Sequence, residues 1–167
     1  IGCAEKSDLI DPTTIALGDV LIGYASDSIH ANGWSLVRRA LKEMPAGTVT
    51  DDELAAWLQP TRLYDDVVNG LKKSGVKPKA MSHITGGGLP ENLERLFVGM
   101  GADLTIPEWK LPGIAKLLDT VDAEDRFHTF NMGIGWVAIV APEDADKALA
   151  AGPGGHVLGE MGATEGV

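Results

Sequence analysis

His83 and Thr85 stand two residues apart, immediately before Gly86-Gly87-Gly88, in the stretch SHITGGGLPENL (residues 82–93). An imidazole can take or give a proton near neutral pH. Three consecutive glycines leave backbone N–H groups unshielded and allow positive φ. Lys79-Ala80-Met81 reads as a short strand leading in, and Pro90-Glu91 suits a helix start. A strand–glycine–helix turn of this kind can cradle a phosphate with backbone donors and the positive end of the helix. It is neither a Walker A loop nor a GxGxxG turn. A tight turn whose glycines only relieve sterics accounts for the same residues. If the strand persists, His83 and Thr85 point the same way.

Two further stretches have similar character. Val20 to Ala25 reads as a buried strand, and Ser26 to Gly33 as a loop carrying His30 to the start of a helix with Trp34, Val37, Leu41 and Met44 on one face. Asn32 is the expected N-cap. His30 is then either a second anion contact or a surface imidazole. Phe130-Asn131-Met132-Gly133-Ile134-Gly135 leads into an apolar strand over Trp136 to Ala141. Gly133 and Gly135 permit close backbone approach, and the Asn131 amide both donates and accepts. Arg62 suits a phosphate clamp or a pairing with Asp65 or Asp66.

Other chemistries fare worse. No two of His30, His83, His128 and His156 stand at i, i+4, and the one cysteine, Cys3, is remote in sequence, so zinc is not expected. Glu91 is a metal candidate or a first-turn acid favoured by the helix dipole. No serine has nucleophile-elbow context. A net charge of −10 argues against general nucleic-acid or anionic-membrane binding. No apolar run is long enough to span a bilayer, no signal peptide is evident, and a lone thiol suits a reducing cytoplasm.

The elements that must position these groups fit one domain over residues 1–167. Ile1 to Lys6 is a short strand candidate. Thr50-Asp51-Asp52-Glu53 has the form of a capping box, with Leu54, Trp57 and Leu58 following. Tyr64, Val67, Val68 and Leu71 make a helix that closes near Gly75. Leu89 to Leu96 is a short helix and Ala102 to Ile106 a strand. Pro112 opens a helix with Ile114, Leu117, Leu118 and Val121 on its core face, preceded by Trp109 as a packing anchor. Ala123 to Phe127 adds a helical turn. Pro142 to Ala150 is a helix and His156 to Met161 a last strand. Alternating strands and helices allow either an α+β or a parallel α/β arrangement.

HITGGGLPENL (83–93), GDVLIGYASDSIHANGWSLVR (18–38), PTRLY (60–64) and FNMGIG (130–135) together resemble, in order and spacing, the C-terminal half of the aminoimidazole ribonucleotide synthetase family, also called phosphoribosylformylglycinamidine cyclo-ligase. The resemblance implies an α+β fold, a layered domain with a mixed, largely antiparallel sheet packed by helices. It implies ATP-dependent ring closure of formylglycinamidine ribonucleotide to aminoimidazole ribonucleotide, with magnesium at the ATP phosphates, in a cytoplasmic homodimer. The partner it implies is the N-terminal half of the same enzyme, expected to carry most of the ATP site. The catalytic candidates are His83 and His30. The substrate- or phosphate-binding candidates are Asn32, Gly33, Thr85, Gly86, Gly87, Gly88, Asn131, Met132, Gly133 and Gly135. Metal ligands are not assigned. The first loop departs from the family pattern Ser-Ser-Gly-x-His-Ser-Asn-Gly-Tyr: Asp27, Ser28, Ala31 and Trp34 replace the second Ser, the Gly, the third Ser and the Tyr. Asp27 would repel a phosphate, and Ser28 would strain in a glycine conformation. Two other readings stand beside this one: an isolated nucleotide- or partner-binding module, and a related enzyme such as formylglycinamidine ribonucleotide synthase.

Overall fold

The structure is a computed structural model that describes residues 3, 5–163 and 167. The strand expected over Ile1 to Lys6 lies partly outside these residues, and Lys6–Asp8 forms a 3₁₀ turn. In chain order the elements are β1 (Val20–Ala25), α1 (Trp34–Glu43), α2 (Asp51–Trp57), α3 (Asp65–Lys73), β2 (Ala80–His83), α4 (Gly88–Glu94), β3 (Gly101–Leu104), α5 (Ile114–Leu118), α6 (Ala123–Thr129), β4 (Ile134–Val140), α7 (Ala145–Leu149) and β5 (Gly155–Gly162).

The strands form one sheet in the order β2-β4-β1-β5-β3. All four pairings are antiparallel, so the α+β class holds, and the parallel component of the expected mixed sheet is not found among neighbouring strands. β4 and β5 are joined through α7 and run parallel to each other. They do not pair, because β1 is inserted between them. This explains why the strand–helix–strand pattern at the end of the chain was legible while the sheet stayed antiparallel.

β1 is the central strand, and its near-continuous apolar run, buried from Val20 to Tyr24, suits a position covered on both faces. Alternation sorts its side chains. Leu21, with Ala80, Val137, Ile139 and Leu158, packs against Leu89 and Leu93 of α4. Val20, Ile22 and Tyr24, with Ala138 and Val140, pack against Val67 and Leu71 of α3 and Ala148 of α7. A third cluster joins α1, α2 and α5 through Val37, Trp57 and Leu117, and takes in Ile29 and Phe130 from the loops. The capping box on α2 forms as expected, Thr50 N donating to Glu53 at 2.9 Å and Glu53 N to Thr50 Oγ1 at 3.2 Å. α5 starts after Gly113 (φ 69°), two residues later than Pro112 suggests.

Register places the chemistry. Ala25 pairs with Ile134, His83 with Trp136, Tyr24 with Gly155 and Leu104 with Gly159. The loops after β1, β2 and β3 and those before β4 and β5 therefore all emerge at one edge of the sheet.

Candidate active site

His83 is the last residue of β2 and lies directly opposite Trp136 of β4. Cross-strand partners share a face, and the two rings stack with centroids 6.0 Å apart and planes inclined by 30°. Tyr64, at the N-terminus of α3, stacks on Trp136 at 5.6 Å and stands 5.9 Å from His83. His30 completes the group, 5.8 Å from His83 and 6.3 Å from Tyr64. Gly135 makes this approach possible, since a Cβ there would overlap the Tyr64 hydroxyl and lie 2.6 Å from His30 Cε1. His30 and His83, far apart in sequence, are thus neighbours. Tyr64 and Trp136 were read from sequence only as helix and strand residues. Their signal was their place inside PTRLY and directly after FNMGIG.

The first loop is held in place by Asn131. Its side-chain oxygen accepts from Ser26 Oγ and from Gly133 N, each at 2.9 Å, and its amide donates to Ser28 O at 3.0 Å. The amide is thereby engaged inside the protein, and its visible role is to strap the loop. Ser28 is fully buried and accepts from His30 N at 3.2 Å. The strain expected at Ser28 is not there: the left-handed conformation falls on His30 (φ 64°) and on Met132 (φ 51°). Such backbone costs about 1–3 kcal/mol per residue and collects at functional sites. Asn32 does not cap α1. Gly33, at φ 77°, occupies the N-cap position with no side-chain bond, and a Cβ on it would meet Phe130 at 2.6 Å. Asn32 instead faces the glycine turn, its Oδ1 3.7 Å from where a Cβ on Gly86 would be. This contact brings the first loop to the triple glycine.

The turn itself is held from within. Asn92 is fully buried, and its amide donates to the carbonyls of Gly88 at 2.7 Å, Gly86 at 3.1 Å and Thr85 at 3.4 Å. Thr85 Oγ1 donates to Asn92 Oδ1 at 3.2 Å, so Thr85 serves the turn and does not continue the strand face of His83. Gly87 (φ 91°) caps α4. Gly88 (φ 59°) donates its N–H to Thr85 O, and a Cβ there would collide with Phe127 O at the end of α6. Gly88 is therefore explained by packing, while Gly86 is exposed beside Asn32. Gly133 (φ 88°) likewise leaves room for Trp109, whose Cδ1 would lie 2.9 Å from an added Cβ. Sequence reasoning missed Asn92, although an Asn one turn into a helix after a glycine turn is placed to reach the turn's carbonyls.

Arg62 is pinned: it donates to Ala25 O at 2.9 Å, pairs with Asp66 at 3.0 Å, and lies 4.9 Å from the Tyr64 ring centre. The carboxylate pairing, one of its two sequence readings, is the one observed. Glu91 is exposed and stands 3.8 Å from His128.

The electrostatics of the cluster follow from burial. Burial, then the neighbouring His83, then Arg62 lower the His30 pKa to about 4, with Asp27 opposing. Burial also lowers His83 and raises the Tyr64 phenol. At neutral pH the pair is therefore uncharged, each imidazole offering one donor and one acceptor. Both nitrogens of His30, Nε2 of His83 and Nε1 of Trp136 are buried with no hydrogen-bond partner. Buried polar atoms are nearly always paired, so four orphans in one aromatic cluster mark a site suited to hydrogen bonding and proton transfer. Among the described residues no group of three or more potential ligands stands close enough to hold a metal ion. Nor is any of their helices long and apolar enough to cross a membrane.

An α+β domain with this histidine–glycine edge is the class the geometry defines. Residues 16–167 match the family described as AIR synthase related protein, C-terminal domain, and the chain belongs to that family. It is 41% identical to the phosphoribosylformylglycinamidine cyclo-ligase of Thermoanaerobacter sp. (strain X514), over 99% of this chain and 53% of the relative. It is 42% identical to that of Desulfitobacterium hafniense (strain DSM 10664 / DCB-2), over 100% of this chain and 53% of the relative. The chain thus spans about half the length of these curated relatives. Among solved structures it is similar to a HypE–HypF complex (TM-score 0.61, 20% identity, 93% of this chain and 50% of that one). It is also similar to T. maritima PurL complexed with FGAR (TM-score 0.56, 13% identity, 93% and 26%). Those likenesses concern the fold.

Proposed function

We propose that this chain forms one C-terminal domain and supplies half of a cyclo-ligase active site. The reaction is the ATP-dependent closure of formylglycinamidine ribonucleotide to aminoimidazole ribonucleotide in purine biosynthesis. The observation that carries this reading is the convergence of two neutral, unpartnered imidazoles beside the glycine turn, in a chain of this family. The setting we propose is a cytoplasmic homodimer, with the ATP site largely on an N-terminal region like that of the longer relatives.

The amide oxygen of the substrate is a poor leaving group. Transfer of the γ-phosphoryl group of ATP makes it an iminophosphate; a substrate nitrogen then attacks that carbon, loses a proton, and phosphate departs. Catalysis of this kind rests on positioning and charge stabilisation. A neutral imidazole can accept the proton from the attacking nitrogen, and an imidazole N–H can stabilise charge on the departing oxygen. His83 and His30 fill these two roles between them. The exposed backbone at Gly86, with Asn32 alongside, forms the anion-facing rim, while Gly87 is half-buried beside the Glu91 carboxylate. Among the described residues no group of three or more potential metal ligands converges, and magnesium at ATP phosphates needs only one or two carboxylates, so no magnesium ligand is assigned to this chain.

The test pairs this chain with the N-terminal half of the Thermoanaerobacter relative and follows ADP release in a coupled assay. Release that depends on both formylglycinamidine ribonucleotide and the added half is expected, with background release from this chain alone. Full turnover by the chain alone would refute the division of labour, and no turnover by the pair would refute the assignment.

A further inference from the structure

The chain has four asparagines, and two of them, Asn32 and Asn69, stand directly before glycine. An Asn-Gly pair can react with itself. The glycine nitrogen loses its proton and attacks the side-chain amide carbon, ammonia leaves, and a five-membered succinimide remains. Water then opens the ring at either carbonyl. The product is an aspartyl or a backbone-shifted isoaspartyl residue, one water having been taken up and one ammonia released, and each product carries a new carboxylate. Glycine favours the attack because it has no Cβ to hinder the approach and its backbone turns freely. Asn92 and Asn131 are poor candidates: both are buried, both commit their amides to backbone carbonyls, and they precede Leu93 and Met132.

The fold separates the two Asn-Gly pairs. Asn69 is exposed, but it lies with Gly70 in the interior of α3. There the Gly70 N–H belongs to the helix ladder, and the helical backbone holds that nitrogen away from the preceding side chain. Gly70 is also packed so closely on Ala151 O that no Cβ would fit, which leaves its backbone little room to turn. Asn32 and Gly33 lie in the first loop, ahead of α1, and Asn32 is partly exposed. Among the described residues neither the Asn32 side-chain amide nor the Gly33 N–H enters a hydrogen bond, so both reacting groups are free. Exposure by itself would select Asn69, whereas backbone freedom selects Asn32. We infer that Asn32 is a site of spontaneous deamidation in the folded chain and that Asn69 is protected by its helix. The new carboxylate stands on the loop that faces the exposed Gly86. The modification is independent of the cyclisation reading; only its effect, a negative charge on the rim assigned to anions, rests on that reading.

The experiment incubates the folded chain at mildly alkaline pH and follows each Asn-Gly peptide by mass spectrometry, reading the gain of mass when an amide becomes a carboxylate. Labelling by an isoaspartyl O-methyltransferase reports the backbone-shifted product. A parallel sample is held unfolded in urea at the same pH and temperature. In the folded chain Asn32 is expected to lose its amide about tenfold faster than Asn69 or more, because Asn69 reacts only when α3 opens and each tenfold of protection corresponds to about 1.4 kcal/mol of opening free energy. In urea the two rates should converge. Asn32→Gln, whose longer side chain does not form the five-membered ring, should abolish most of the isoaspartyl label in the folded chain. Three results would each overturn the inference: an Asn32 amide that survives in the folded chain while it is lost in urea, an Asn69 rate equal to or above that of Asn32 in the folded chain, or a ratio of the two rates that unfolding leaves unchanged.

Discussion

The glycine turn and the histidine cluster lie at the same sheet edge yet treat their polar groups in opposite ways. Under the turn, the Asn92 amide meets three carbonyls and its oxygen accepts from Thr85. In the cluster, four buried nitrogens meet nothing. A satisfied network rigidifies, whereas unsatisfied buried groups cost stability and persist where a ligand completes them. The turn is thus scaffold along its inner side, and the cluster carries the reactive groups. This reverses the emphasis suggested by sequence, where the triple glycine is the more conspicuous feature.

His83→Gln gives the sharpest test of the contrast. Nε2 of His83 has no internal partner, so the substitution should leave the melting temperature nearly unchanged. Turnover in the two-part assembly should fall by about 10²–10⁴-fold, the usual worth of a positioned acid or base. A large loss of stability with turnover intact would make His83 a core residue. Asn92→Leu should do the converse. It takes the side-chain donor from the buried Gly88 carbonyl, while Thr85 O keeps the Gly88 N–H and Gly86 O faces solvent, and the destabilisation expected is about 1–3 kcal/mol, measured by denaturant unfolding of the chain. An effect below about 1 kcal/mol would show that the turn holds itself without Asn92.

The burial of His30 predicts an acid-sensitive stability of similar size. Its folded pKa, about 4, lies below the ordinary 6.5. Between those values the unfolded chain binds the extra proton and the folded one does not. Stability from this group is therefore present in full above about pH 6.5, declines as pH falls, and is gone below about pH 4. The difference amounts to roughly 3 kcal/mol. His30→Gln should flatten the stability profile across that window in urea titrations at fixed ionic strength. An unchanged slope would mean that His30 charges freely in the folded protein.

What was legible in the sequence follows from how local each signal is. β1, α1, β4 and β5 carry apolar runs or periodic faces long enough to announce themselves, and the Thr50–Glu53 capping box is a local pattern. The sheet order is not local: the insertion of β1 between β4 and β5 depends on packing contacts far apart in the chain. The site divides in the same way. His30, His83 and the glycines stand out by type, but the convergence of the two imidazoles depends on register. Tyr64 and Trp136 read as ordinary core aromatics because nothing near them in sequence shows that they close around His83. The Asn32 cap failed because Gly33 can adopt a left-handed cap conformation that needs no side-chain acceptor.

The smallest expected effect concerns Tyr64, which touches both regimes: its ring walls the cluster, while its hydroxyl is satisfied. The Tyr64 hydroxyl donates to Ala25 O at 3.0 Å, and Arg62 donates to the same carbonyl at 2.9 Å. Tyr64→Phe removes one of these two bonds but keeps the ring over Gly135 and against Trp136. Ala25 O remains paired, so no buried acceptor is orphaned, and the cost should be about 0.5–1.5 kcal/mol, the net worth of one hydrogen bond. The two imidazoles should keep their tautomers and titration in ¹⁵N NMR spectra, because the wall that confines them is still present. Tyr64→Leu removes the wall as well, and there the His30 resonances should titrate closer to the ordinary range as water reaches the ring. If Tyr64→Phe alone moved the His30 titration, the hydroxyl and not the ring would be the group that sets the cluster, and the line drawn between satisfied scaffold and unsatisfied site would run through Tyr64 itself.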